Sequence, residues 1–310
     1  MAMIELSDFT KCYGDLVAVD RLNLAIHDGE TFGFIGPNGA GKTTTIRFLA
    51  TLLKPTRGDG TVNGFSVTRH PLDVRRSIGY MPDTFGVYEG MKVGQFLEFF
   101  AAAYRVPRGR RRQVIGGVLE RLGLSLKRNA SLGGLSRGMK QRLCLAKTLL
   151  HDPPVLILDE PASGLDPRAR VEMKSLLREL RESGKTILIS SHILSELADC
   201  CTTIGIIEHG NLLVHGPIEE IYRRIGRKRV VEIRLLDPVR AGLDILRSDP
   251  KVAVVQADGG AVTVELEADD REVAELLARL VTQGVRVLSF AEKELNLEEV
   301  FLRVTKGVVG

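Results

Sequence analysis

Two stretches of this chain carry residue types and spacings suited to phosphate and carboxylate chemistry. Gly36-Pro37-Asn38-Gly39-Ala40-Gly41-Lys42-Thr43-Thr44 sets glycines at the first and sixth positions ahead of Lys and Thr. That spacing lets successive backbone N–H groups close around phosphate oxygens, with a helix N-terminus adding partial positive charge. Lys42 would neutralise β- and γ-phosphates, and the Thr43 hydroxyl would ligate Mg²⁺. Val155-Leu156-Ile157-Leu158-Asp159-Glu160 is an apolar run ending in two carboxylates. Asp159 suits a magnesium shell and Glu160 the polarising of an attacking water. His192 follows Ser190-Ser191 at a third such position, where an imidazole would contact a γ-phosphate and orient water.

Strands and helices must bring these segments together. Thr31 to Ile35 reads as a short buried strand running into the glycine-rich turn, and a helix through Ile46, Phe48, Leu49 and Leu52 should stop before Pro55. From about 90 to 150 the apolar spacing is helical, as in Val93, Phe96, Leu97 and Phe100, which predicts a helical insert. Val155 to Leu158 and Thr186 to Ser190 read as buried strands, and Arg168 to Ser183 as a helix ended by Gly184. Alternating strands and helices predict a mainly parallel α/β sheet with helices on both faces, and ligands collect at the carboxyl ends of such strands.

After Gly226-Arg227-Lys228-Arg229 the periodicity restarts. Strands at Val230–Leu235, Lys251–Gln256, Ala261–Glu267 and Val285–Phe290, with helices from Pro238 to Arg247 and around Val273 to Val281, give the order βαββαβ of a ferredoxin-like domain. A last helix is predicted from Asn296 to Thr305. The expected organisation is therefore residues 1–226 as a nucleotide-binding domain and 227–310 as a small accessory domain.

Composition narrows the classes. With 310 residues, 44% hydrophobic, the chain is long enough for a substantial core. No apolar run reaches the roughly 18 residues of a membrane span, and the first residues lack a leader pattern, which predicts a cytoplasmic protein. Cys12, Cys144, Cys200 and Cys201 have no CxxC spacing, so reduced thiols are expected, with Cys144 in a core. A net charge of +4 gives no reason to expect nucleic acid. The cluster Arg105, Arg108, Arg110, Arg111 and Arg112 reads as a solvated loop, the other reading being contact with anionic lipid headgroups or an acidic partner.

One further segment, Leu135-Ser136-Arg137-Gly138-Met139-Lys140-Gln141, is a polar turn that opens a helix between the glycine-rich loop and Asp159. Together with Tyr13, the glycine-rich loop, the strand ending at Asp159-Glu160, Ser163-Gly164-Leu165-Asp166 and His192, it makes six ordered motifs over about residues 3 to 225 that resemble ATP-binding cassette (ABC) ATPases, a branch of the P-loop NTPases. The resemblance implies that Tyr13, alone readable as packing or base stacking, stacks on adenine. It makes residues 36 to 44 the Walker A loop and 155 to 160 Walker B. Ser136 and Gly138 would close the nucleotide site of a second copy in trans, Asp166 would belong to the D-loop, and His192 would be the switch histidine. ATP and Mg²⁺ are the implied cofactors, and a head-to-tail homodimer the implied assembly.

Two positions depart from the family pattern. Asp83, in Ile78-Gly79-Tyr80-Met81-Pro82-Asp83, stands where a glutamine usually touches the magnesium shell. Arg137 replaces the first of two usual glycines, and Met139 the usual glutamine. The tail Leu295 to Thr305 is similar to that of ABC-2 type drug and antibiotic exporters. This implies a separately encoded membrane permease, attachment to the inner face of the membrane through it, and coupling near Asp83 to Phe100, where Phe85, Tyr88 and Phe96 would either cradle a partner helix or fill the insert's core. The competing classes are a soluble nucleotide-gated regulator, including one acting on nucleic acid or ribosomes, and a ligand-sensing module in the C-terminal domain.

Overall fold

The computed structural model describes residues 2–84, 86, 90–193, 197, 200–218, 220–221, 229–237, 239–258, 261–266 and 268–293. They form two compact units, Met1–Ile218 and Glu219–Gly310.

The first unit opens with a hairpin of β1 (Ala2–Tyr13) and β2 (Leu16–His27) and continues into β3 (Thr31–Ile35), every residue of which is buried. Helix α1 (Lys42–Leu49), strands β4 (Arg57–Val62) and β5 (Phe65–Ser66), helix α2 (Pro71–Ser77) and strand β6 (Ile78–Met81) follow. Next come α3 (Val93–Ala103), α4 (Arg108–Arg121), α5 (Arg137–Leu149) and β7 (Val155–Asp159). Helix α6 (Pro167–Glu182), β8 (Thr186–Ser191) and the antiparallel pair β9 (Thr203–Glu208) and β10 (Asn211–Pro217) complete it.

Two sheets result. One has the order β10-β9-β3-β8-β7-β6 and is parallel except at its β10 edge. Its strands β3, β7 and β8 are buried throughout, as unbroken apolar runs require when both faces are covered. The other, β2-β1-β4-β5, is antiparallel. Helix α1 lies between them, touching β7 of the first and β2 and β4 of the second. Phe48 of α1 stacks on Phe9 of β1 with ring centroids 4.2 Å apart, within a core that also holds Ile4, Phe32, Phe34 and Ile157. These contacts fix the start of α1, and with it the glycine-rich loop, against the sheet.

Two details differ from the sequence expectation. Helix α1 stops before Pro55 as expected but ends at Leu49 rather than running through Leu52: Thr51 turns left-handed at φ 62, and Leu52, exposed, has no core to hold it in the helix. The arginine cluster is not a loop, since Arg108 to Arg112 form the first turns of α4. Arginine is a good helix former, and this helix needs to bury only Ile115 and Leu119. The insert is otherwise helical as expected, with α3, α4 and α5 mutually in contact and Phe96 buried. Phe85 and Tyr88 lie outside the described residues.

The second unit reads β11 (Arg229–Asp237), α7 (Val239–Ser248), β12 (Val252–Asp258), β13 (Ala261–Leu266), α8 (Asp270–Thr282) and β14 (Arg286–Lys293). The sheet order β12-β13-β11-β14, antiparallel throughout, is that of a ferredoxin-like fold. Val231, Ile233 and Leu235 alternate into its core against Leu246, Leu276 and Leu280. Asp269 caps α8 reciprocally with Glu272. Pro238, Glu267 and the helix expected from Asn296 to Thr305 lie outside the described residues. Among those residues no helix is long and apolar enough to cross a membrane.

Candidate functional site

Because β3, β6, β7 and β8 run parallel, their carboxyl ends share one edge of the sheet. The register sets Ile35 beside Ser191, Asp159 beside Ser190, and Met81 beside Leu158. The segments that follow these strands, starting at Gly36, Pro82, Glu160 and His192, therefore meet. A cavity of about 330 Å³ opens there, lined by Asn38 through Thr44, Asp83, Glu160, Ser163, His192 and Ala18.

The glycine-rich loop needs its glycines where it turns most tightly. A Cβ on Gly36 would strike the Ile207 carbonyl, and Gly41, at φ 108, would bring one to 2.6 Å from the Ala18 carbonyl oxygen. Lys42 is folded into the loop, its Nζ donating to the carbonyls of Gly36 at 2.6 Å and Pro37 at 3.1 Å and lying 3.8 Å from Glu160 Oε1. Burial pushes its pKa down, against the opposing pull of Glu160 and Asp159. An ammonium so placed gains from any anion entering the loop.

Asp159 is buried, 1% exposed, and accepts hydrogen bonds from Ser190 Oγ at 2.6 Å and Thr43 Oγ1 at 3.3 Å. Burial raises its pKa despite these two donors, and the Asp83 charge raises it further. A buried carboxylate beside a hydroxyl, with a second carboxylate near, is a hard-oxygen donor set that a divalent cation would relieve. Among the described residues no group of three or more His, Cys, Asp or Glu side chains could hold a metal. Magnesium takes one or two protein oxygens and the rest from phosphate and water, a demand that the Asp159 carboxylate and Thr43 hydroxyl would meet.

Glu160 is held between two partners. Its amide donates to Ser190 Oγ at 3.0 Å, and its carboxylate oxygen Oε2 is 2.8 Å from His192 Nδ1, the arrangement in which Nδ1 carries the proton. Its backbone lies in the left-handed region at φ 51. A carboxylate paired with an imidazole across from a phosphate loop has the geometry to draw a proton from a bound water.

The other expected residues sit elsewhere. Tyr13, half exposed at the end of β1 with Lys11 Nζ 5.0 Å from its ring centroid, is outside the cavity lining. Ser136 caps α5, accepting from the Met139 amide at 3.3 Å, and Gly138 is the second residue of that helix. Asp166 caps α6 through the Ala169 amide at 2.9 Å. None of these three lines the cavity. Ser190, which the sequence does not single out as functional, bridges Asp159 and the Glu160 amide; its place directly after an apolar run and before His192 is the signal it carries.

The first unit matches the family model "ABC transporter" over residues 19–163, and residues 216–305 match the model "ATP-binding protein DrrA1-3-like, C-terminal domain". The chain is 35% identical over 307 residues to the bacitracin transport ATP-binding protein BcrA of Bacillus licheniformis, covering 98% of each chain. It is 34% identical to the daunorubicin/doxorubicin resistance ATP-binding protein DrrA of Streptomyces peucetius, covering 97% of this chain and 92% of that one. Among solved structures, the dimeric ATP-binding cassette MJ0796 in a post-hydrolysis state with ADP and Pi aligns at a TM-score of 0.64 and 26% identity, over 70% of this chain and 99% of that chain.

Proposed function

This chain belongs to the ABC transporter family as an ATP-binding, ATP-hydrolysing subunit, and from that premise we propose how its residues divide the work. The loop from Gly36 to Thr44 cradles the phosphates, with Lys42 turning from its carbonyl partners to the β- and γ-phosphates. Thr43 and Asp159 hold Mg²⁺, which when bound supplies charge neutralisation at the phosphates. Asp83 adds a second carboxylate at the edge of that shell. Glu160 polarises the attacking water, and His192 orients it against the γ-phosphate. The observation that carries this reading is one cavity lined by the loop and the Glu160–His192 pair, with buried Asp159 joined to it through Thr43.

Tyr13 stacks on the base, its exposure supporting that role. Ser136 and Gly138, at an exposed helix N-terminus, close the site of a second copy in a head-to-tail dimer, with Asp166 alongside. Residues 1–226 form the nucleotide-binding domain and 227–310 the accessory domain. The division of compact units at Ile218 and the C-terminal family match starting at 216 support a boundary in this region. The dimer drives a separately encoded permease, from the cytoplasmic face of the membrane, in export of a drug-like, lipidic or other small compound; the relatives' names support this direction.

One experiment tests the whole. The Glu160→Gln protein, purified with ATP from detergent-solubilised membranes, is expected as a dimer with a polytopic membrane protein, its turnover reduced by about 100-fold or more. A monomer at saturating ATP with normal turnover and no membrane partner overturns the proposal.

A further inference from the structure

A contact outside the cavity bears on turnover. Arg137, the first residue of α5, lays its guanidinium across Gly164 in the turn before α6: a Cβ there would come 2.5 Å from Nη1 and closer still to Cζ and Nη2. One residue on, Gly138 packs against α6, where its own Cβ would meet that of Ala169 at 3.1 Å. The turn is fastened on its far side, with Arg170 Nη2 donating to the Leu165 carbonyl at 3.3 Å and Asp166 capping α6. Toward the cavity, the Ser163 amide donates to the Glu160 carbonyl at 3.1 Å, and Ser163 itself lines the cavity. Glu160 holds a backbone conformation that side chains other than glycine seldom adopt, so it depends on its surroundings to stay there.

We propose that Arg137 is a positioning residue, its planar guanidinium bracing the Gly164 turn so that Ser163 and Glu160 keep their places in this chain's own nucleotide site. The inference rests on the role given to Glu160 above. It ties the signature, which serves the partner copy's site, to the water-polarising carboxylate of the same chain. The family's usual glycine has no side chain to make this brace. An arginine that reached a phosphate instead would change nucleotide binding, whereas a brace leaves binding alone and changes the chemical step.

The two cases separate in steady-state ATP hydrolysis by the full-length protein. Arg137→Gly removes the brace. Gly164→Ala displaces it, since the new methyl would occupy the place of the guanidinium, and it also strains the turn, because Gly164 sits at φ 65. Each is expected to lower kcat about tenfold with KM for MgATP within about twofold, and the double variant to be no slower than the slower single. Arg137→Lys keeps the charge but not the plate, and is expected to resemble Arg137→Gly. An unchanged kcat in Arg137→Gly, a raised KM at constant kcat, full activity in Arg137→Lys, or losses that multiply in the double variant would each overturn the brace. Normal turnover in Glu160→Gln would instead remove the reading beneath it, leaving the coupling between positions 137 and 164 measurable by itself.

Discussion

At the carboxyl edge of the parallel sheet, Lys42 and Asp159 are buried and burial works against the charge of each. In the C-terminal unit, Arg229 pairs with Glu292 and, at 2.7 Å, with Asp270, while Lys251 pairs with Glu272 and Arg279 with Asp249. There the hydrogen bond that Arg229 donates to Glu292, ahead of every other influence, raises the Arg229 pKa, and the bond to Glu272 does the same for Lys251. The contrast separates charge kept for a ligand from charge spent on structure. At that edge of the sheet, both groups carry a desolvation cost that a bound nucleotide and cation would relieve. In the C-terminal unit these cations already have partners, and where solvent reaches the pair, as at Lys251 and Glu272, it contributes little.

The sharpest break of this comparison is Lys42→Ala, expected to cut ATP turnover by at least about 100-fold in a steady-state assay while the thermal midpoint without nucleotide holds or rises. Asp159→Asn follows. Its magnesium-dependent turnover should fall about 10- to 100-fold, while the nucleotide-free protein becomes more stable at pH 7 by thermal melting. The sign comes from linkage: a carboxyl whose folded pKa is raised stabilises the fold most below its ordinary value of 3.8, and this is lost as pH rises through the folded value. The melting advantage of Asp159→Asn should accordingly shrink on acidification. The smallest effect belongs to Arg229→Ala, expected to cost no more than about 1 kcal/mol, since solvent screens its pairs, and to leave ATP turnover unchanged. A large loss of turnover there would erase the distinction between the two regions.

What the sequence disclosed depended on how local the signal was. The glycine-rich loop and the strand leading to Asp159 and Glu160 are contiguous, so their patterns are complete within ten residues or so. The C-terminal βαββαβ order was equally readable, because each element alternates or turns with its own period. The antiparallel sheet of β1, β2, β4 and β5 was not anticipated. Its pairing of β1 with β4 spans some fifty residues, and irregular register between Leu6 and Cys12 breaks the alternation that would announce a strand. Ser190 escaped for a related reason: only the register of β7 beside β8 brings it to Asp159. The contact of Arg137 with Gly164 is of the same kind, a meeting of a helix N-terminus with a turn that no sequence period records.

The backbone at Glu160 has a consequence for how this sequence changes over generations. A left-handed conformation at φ 51 costs an ordinary side chain roughly 1 kcal/mol that glycine would not incur. Selection for thermal stability or expression alone therefore pushes position 160 toward glycine, and only the need for a carboxylate there pushes back. A population of variants sorted for folding without regard to turnover should lose this glutamate early, so the residue records what the protein has been selected to do rather than how it folds.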